Sequence, residues 1–501
     1  MTLATASFWW SIASFSQIKS NNSSIVVSNV TQLVRAVNQG KDGDLVTIKA
    51  GTYELQAPLM PKSGMSILGE GEKTIITAAS TWQPSTEKLP KIEDPAAYLF
   101  SLEKVPNVTL SQMKLTANRL HGAIYADNAD GLEISQLQIR DFLWSGIRTF
   151  RMDNFQVRDS VFIDAGGRYG PVTGAALYMN WTKNSQFCHN RIFRSENSTH
   201  NSFGFKGIKG TNLHFHHNDV RVNFSLEFPF ENDRNIELDR NIFAGTVSIP
   251  KYKGGLVLED ELAYHIHHNW FQKSYALEWA RNAVEVDHNL FDFEPTDDDR
   301  GNLITNHGAK SAPGFTLFHD NYIKNPGRGI FWSKGIYNGF HFYNNHVKAN
   351  TLTRSDGLFS FNPQSDFKTI EIKNNIIENT ADNPRPLMRD PESYAAIIEN
   401  NTLINISDTS AYKNSQTGEP HGLLKPLSFE VGAYGEYTIN NWNAIKMSNK
   451  KLIGGFYVLP DIALADASRK AFYQLAIHLL EKPSNSISMN WDSQTRLDRC
   501  S

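Results

Sequence analysis

The chain is expected to be all-β: a single-stranded right-handed parallel β-helix, a solenoid, with an N-terminal helical cap and a C-terminal extension containing a helix. Three observations lead there. Short segments alternating apolar and polar residues recur along the chain, as in Leu213-His-Phe-His-His-Asn-Asp-Val, Tyr264-His-Ile-His-His-Asn-Trp-Phe and Val284-Glu-Val-Asp-His-Asn-Leu-Phe. Period-two alternation is the signature of a strand with one buried face. An asparagine closes each of these segments, at 190, 218, 241, 269, 289, 321, 345, 375 and 401, and no unit between them contains a long helical pattern. Self-similarity at such intervals marks stacked coils, and the uneven spacing marks loops of different length growing from a constant coil.

Taken in order, residues 1–24 form an apolar leader, uncharged up to Lys19 and without the basic n-region of a strong export signal. An export signal or a disordered segment is expected there, and a secreted or periplasmic location with it. Thr31-Gln-Leu-Val-Arg-Ala-Val-Asn38 has helical spacing and opens on a threonine able to cap it. A short helix followed at once by strands suits the covered end of a solenoid. The β-helix is expected over residues 25–425. Residues 426–501 read as an extension packing on it, with a helix at 465–480 ahead of Pro483. Cys188 and Cys500 are the only cysteines, too few for a disulfide framework, and Cys188 reads as a small core residue.

The asparagines are expected to be structural. Each buried turn leaves main-chain groups in need of partners, and stacked carboxamides can supply them coil after coil. Asparagine also tolerates the left-handed conformation of a sharp turn. The histidines of the same segments (His214, His216, His217, His265, His267, His268) belong to the strands that define the coil, and no metal site is assigned to them.

A net charge of −3 offers no global field to attract a polyanion, so any such ligand must be met by a local cleft. No stretch approaches the ~20 apolar residues of a membrane helix, and neither a membrane nor a nucleic-acid partner is expected. The segment Phe203-Gly-Phe-Lys-Gly-Ile-Lys points to one place for chemistry. Its alternation stands Lys206 out of the sheet, and Gly204 and Gly207 are expected to leave room for a broad ligand to approach. Stacking the neighbouring strands gives the column Tyr125, Arg148, Tyr178, Lys206, Glu227 and Glu278, with Asn180 close by. The glycine-rich loop Asp164-Ala-Gly-Gly-Arg-Tyr-Gly-Pro171 rises beside it, and His200 precedes the lysine strand.

A groove lined by Lys, Tyr, Arg and Asn suits β-elimination from a uronate polysaccharide. The C5 proton becomes removable when the neighbouring carboxylate is neutralised by preorganised donors; Arg148, Asn180 and His200 are the candidates. A lysine ordinarily titrates near 10.4, so a lysine base needs cationic neighbours or desolvation. A tyrosine hydroxyl can return a proton to the leaving O4.

The coil pattern, together with Gly166-Gly-Arg-Tyr-Gly and Phe203-Gly-Phe-Lys-Gly-Ile-Lys-Gly, resembles the β-helix alginate lyases of polysaccharide lyase family 31, from about residue 28 to 405. The resemblance implies Lys206 as base and Tyr169 as acid, with Tyr178 as the competing tyrosine. It also implies no essential metal; a calcium ion is allowed but not expected to be essential, and no cofactor is expected. A preference for poly-β-D-mannuronate is expected because its C5 proton and O4 lie on one side of the ring, from which Lys206 and Tyr169 could both approach. Arg148, Tyr178, Asn180 and His200 are substrate-binding candidates from geometry alone, and a monomer is expected. A calcium-dependent lyase of the family 6 type remains open, with Glu227, Glu231, Glu259, Asp260 and Glu261 as its carboxylates. So does a non-catalytic β-helix binder or adhesin. A hydrolase is disfavoured because the one acidic run, Thr296-Asp-Asp-Asp-Arg-Gly301, would alternate faces on a strand. An epimerase is disfavoured by the lack of an Asp-Pro-His motif.

Overall fold

The computed structural model describes residues 23–82, 94–169, 172–196, 198, 203–228, 234–249, 263–272, 276–279, 284–292, 302–306, 315–324, 326–333, 339–349, 357–361, 370–380, 382–388 and 396–407, with a few isolated strand pairs beyond. The leader before residue 23, His200, Glu231, Glu259–Glu261, the run at 296–300 and the helix expected at 465–480 lie outside these residues. The boundary drawn at 425 falls outside them too.

The described chain is a right-handed parallel β-helix. From Ser24–Val27 onward the coil strands pair in parallel with those of the next coil and so join one continuous sheet, with a few two-stranded pairs outside it. Three faces recur in each coil. One is carried by strands such as Ser145–Asp153, the first half of Phe203–His216, Phe224–Phe228 and Leu277–Trp279. The second holds the second half of Phe203–His216, Arg234–Asp239, Tyr264–His267 and Val284–Asp287. The third follows the asparagine, in Asp219–Val220, Ile242–Phe243, Trp270–Phe271 and Leu290–Asp292. The apolar members of each alternation stack inward in register, as Val157, Phe187, Phe215, Leu238, Ile266 and Val286 do. Phe187 and Phe215 stack at 4.7 Å between ring centroids. Each such side chain contributes roughly 1.5–3 kcal/mol by leaving water.

The cap is α1 (Val30–Asn38), nine residues long with Leu33, Ala36 and Val37 buried. Its N-cap is Asn29, whose side chain accepts from the Gln32 amide at 2.9 Å, so the helix starts ahead of the expected Thr31. No described helix is long and apolar enough to cross a membrane.

The asparagines form a continuous buried ladder. Asn289 is typical: its Oδ1 accepts from the Asn269 amide at 2.9 Å, and its Nδ2 donates to the Ile266 carbonyl at 2.8 Å and to Asn321 Oδ1 at 3.0 Å. The ladder starts one coil earlier than the asparagine repeat, at Ser160. Its Oγ accepts from the Leu137 amide at 3.2 Å, and its own amide donates to Asn190 Oδ1 at 3.1 Å. The left-handed turn residue is not the asparagine. It is the residue before it: His189, His217, Arg240, His268, His288, Asp320, Asn344, Asn374 and Asn400 all have φ between 51° and 57°. The rung itself stays in ordinary backbone, which aims its carboxamide inward. Cys188 is fully buried, as expected of a small core residue.

Candidate active site

Register brings most of the expected column together. Tyr125 pairs with Arg148, Arg148 with Tyr178, and Tyr178 with Lys206. The next member is Ser225, not Glu227. Ser225 pairs with Lys206 and Leu226 with Gly207, and a register shift between Gly207 and Ile208 leaves Glu227 without a partner position on the Lys206 strand. Ser248 and then Glu278 follow, so Glu278 joins the column three coils beyond the lysine.

The column is covered, not an exposed patch. Lys206 is 5% exposed, Arg148 2%, and Tyr178 and Asn180 8% each. A lysine withdrawn this far from water must have partners for its ammonium, and two kinds are present. Lys206 Nζ donates to the Thr173 carbonyl at 3.0 Å, and it lies 5.0 Å from the centre of the Tyr178 ring and 5.3 Å from that of Phe203. The Arg148 guanidinium sits 3.8 Å from the Phe150 ring centre and 4.2 Å from that of Tyr178. Contacts of this kind are worth about 2 kcal/mol when desolvated. In register the Tyr178 ring therefore lies between two cations.

Arg148 is further fixed by hydrogen bonds. One terminal nitrogen donates to the Tyr178 carbonyl at 3.4 Å. With its carboxamide turned to satisfy both ends, Asn180 accepts from the other at 2.9 Å and donates to the Met179 carbonyl at 2.9 Å. Arg148 thus reaches a ligand only through Asn180 and Tyr178, or by leaving its stack. Trp144, wholly buried with its ring 5.3 Å from that of Tyr178, closes the back of the site. Trp144, Phe150 and Phe203 were missed in the sequence because they read as core. Period-two counting puts Phe203 on the face of Phe205 and Gly207, so nothing in the sequence signalled that its ring would meet Lys206.

The loop that carries Tyr169 is a small antiparallel hairpin. Arg168 pairs with Thr173 and Tyr169 with Val172. Its base is pinched by glycines: a Cβ on Gly174 would fall 1.6 Å from the Trp144 carbonyl oxygen, and the Gly174 amide donates to Gly167 at 2.7 Å. The lysine contact at Thr173 therefore ties this hairpin to the sheet. Gly204 and Gly207 do not open the approach to Lys206. A Cβ on Gly204 would meet Val220 at 2.9 Å and one on Gly207 would meet Leu226 at 2.6 Å, so both face the interior of the coil.

A second polar cluster occupies the next face of the solenoid. In register, His214, Glu237, His265 and Glu285 succeed one another, and beside them His216, Asp239, His267, Asp287 and His319. Burial pushes Asp239 up, but the hydrogen bond and charge of His214, with the charges of His267 and Arg240, outweigh it and hold the carboxyl well below the usual range. Burial, with the neighbouring His214, lowers His216 to about 3, so it is neutral.

Comparison with known proteins agrees with this architecture. Residues 122–291 match the family described as "Right handed beta helix region". Among solved structures, the surface adhesin PfbA of Streptococcus pneumoniae aligns over 82% of this chain and 94% of its own at 11% identity, with a TM-score of 0.43. The A-module of the mannuronan C-5 epimerase AlgE6 of Azotobacter vinelandii aligns over 78% and 94% at 12% identity and a TM-score of 0.43. A mannuronic acid specific family 6 polysaccharide lyase from human gut microbiota aligns over 80% and 92% at 12% identity and a TM-score of 0.41. No curated protein matches in sequence. An adhesin, an epimerase and a lyase at this distance carry no activity over to the chain. What stands is the solenoid, with a covered Lys–Tyr–Arg–Asn cluster on one face and a His–carboxylate ladder on the next.

Proposed function

We propose that the protein is a polysaccharide lyase that cleaves alginate, with poly-β-D-mannuronate preferred, by β-elimination. The observation that carries the reading is the bond from Lys206 Nζ to the Thr173 carbonyl at 3.0 Å. It fastens the candidate base to the hairpin on which Tyr169 sits, opposite Val172. In the neutral state the lysine amine can donate to that carbonyl and keep its lone pair for a substrate proton. The reading requires base and acid to share one side of the site. In β-mannuronate the C5 proton and O4 also lie on one side of the ring, which the α-guluronate residue does not offer.

In the reaction, Lys206 takes the C5 proton, the electron pair forms the C4–C5 double bond, and the C4–O4 bond breaks as Tyr169 returns a proton to O4. The developing charge on the carboxylate falls to Asn180, held by Arg148, with His200 as a further candidate donor. The chemistry calls for no cofactor. The protein would act as a monomer on an anionic polysaccharide outside the cell or in the periplasm. Tyr178, the tyrosine seen against Lys206, competes for the role of acid.

One observation favours a second reading, a solenoid that binds carbohydrate without turnover: the Lys206 column is covered. Incubation with mannuronate-rich and guluronate-rich alginate, watching for the ultraviolet-absorbing unsaturated product, separates the two. Tyr169→Phe is expected to cost on the order of 10²-fold or more in rate. Full activity of Tyr169→Phe beside a dead Tyr178→Phe moves the acid to Tyr178. Binding with no unsaturated product from any uronate polymer sinks the lyase reading.

A further inference from the structure

On the second face, parallel register does something that an isolated strand cannot. It places imidazoles and carboxylates alternately at the ~4.8 Å spacing of neighbouring strands, in two columns two residues apart. Three groups result in which the ligand atoms all lie within 4.8 Å of one another: His214, Glu237 and Asp239; Glu237, His265 and His267; Glu285, Asp287 and His319. The first two share Glu237. Its carboxylate oxygens lie 3.8 Å from His214 Nε2 on one side and 2.9 Å from His267 Nε2 on the other. Two ligands held at about 2.0–2.1 Å on a tetrahedral zinc stand ~3.3 Å apart, which these separations bracket.

We infer that this ladder is a binding site for a borderline divalent metal such as Zn²⁺, centred on His265, His267 and Glu237. The imidazoles are placed by adjacent coil positions of one strand, His-Ile-His, so both leave the same face with the apolar Ile266 inward between them. The carboxylate comes from the coil before, in register opposite His265. Two nitrogen donors and one oxygen suit zinc, copper or nickel and disfavour calcium or magnesium, which take oxygen.

The charges on this face point the same way. Glu237, Asp239, Glu285, Asp287 and Asp320 converge on this face, and Asp239 is 2% and Asp287 7% exposed. Among the described residues one guanidinium, that of Arg240, pairs with this set, on Asp239. Five carboxylates against one guanidinium, on a face partly withdrawn from water, is an arrangement that a bound cation relieves. The site belongs to the half of the Phe203–His216 strand beyond Lys206 and to the coils that follow, so the ion would clamp coils together and take no part in chemistry at Lys206.

The test uses the untagged full-length chain, stripped with EDTA, dialysed and titrated with ZnCl₂ alone, read by calorimetry, by metal content after dialysis and by thermal melting. At least one zinc per chain should be retained at micromolar or tighter affinity, with the melting temperature raised. His265→Gln with His267→Gln should lower affinity by at least about 10-fold, the scale seen even for outer-shell partners. Glu237→Gln alone should do the same, and it keeps the side chain's shape should the double variant fail to fold. His341→Gln, outside the three groups, should bind as the wild type does. Failure to retain zinc overturns the inference. So does undiminished binding by the Glu237 and double histidine variants, or a response to calcium equal to that for zinc.

Discussion

Replacing Asn289 by alanine tests the ladder at its centre. Asn289 is 0% exposed, so water cannot stand in for what is lost. Its Oδ1 is the acceptor for the Asn269 amide at 2.9 Å, and its Nδ2 is a donor to the Ile266 carbonyl at 2.8 Å. Alanine leaves that N–H orphaned and that carbonyl short of a donor, while Asn321 keeps the bond from the residue 289 amide at 2.9 Å. A buried unsatisfied group costs about 1–3 kcal/mol. Two such groups, with partial relaxation, set the expected loss at about 2–5 kcal/mol. Urea denaturation followed by circular dichroism reads the shift in midpoint, and amide hydrogen exchange reads the cause, because the Asn269 amide should lose protection before its neighbours do. A variant within about 0.5 kcal/mol of wild type, with Asn269 still protected, would refute the ladder as a load on main-chain groups.

Three further outcomes are expected. At the left-handed position before a rung, Asn344→Val should destabilise by roughly 1–2 kcal/mol while Asn344→Gly does not; equal midpoints for the two variants would contradict the φ of 56°. Burial, with the nearby charge of Lys348, lowers His346 to about 4, and it packs edge-on to Tyr322 at 5.1 Å. The unfolded chain takes this proton near 6.5, so His346 contributes its stability in full above that pH and loses it as pH falls toward 4. The loss is at most about 3 kcal/mol. His346→Phe should flatten that part of the urea-midpoint profile, and an unchanged slope would rule His346 out. Lys206→Gln should abolish formation of the unsaturated product. Because the residue is buried, its melting temperature must be measured beside activity; normal turnover would end the assignment of Lys206 as base.

The solenoid was legible because its two determinants are periodic. Alternation fixes the faces, and the asparagine recurs once per coil. The same reasoning placed Arg148, Tyr178 and Lys206 in one column, since three consecutive strands keep a constant register there. It failed at Glu227, two residues beyond the Ser225 that pairs with Lys206, because the turn between these strands is not periodic and nothing in the sequence marks where the next strand comes into register. Parity had already put Gly207 on the face of Phe205, so its role inside the coil was readable, whereas the cover over Lys206 was not. That cover depends on how a non-repeating hairpin folds back at Gly166, Gly167 and Gly174, which no period encodes. Ser160 was invisible as a rung because a hydroxyl does the work of the carboxamide for one coil only.

The asparagine ladder also limits how this chain can change in length. Successive rungs are bonded although 20 residues separate one pair and 32 another, so the loops between them absorb the difference. A residue added in a loop leaves every rung in place. A residue added between the inward Val286 and Asn289 would turn the carboxamide out of the turn and break contact with both neighbours. Natural relatives of this protein should therefore differ freely in loop length, or by whole coils, and almost never by one residue within the strand and turn that carry a rung.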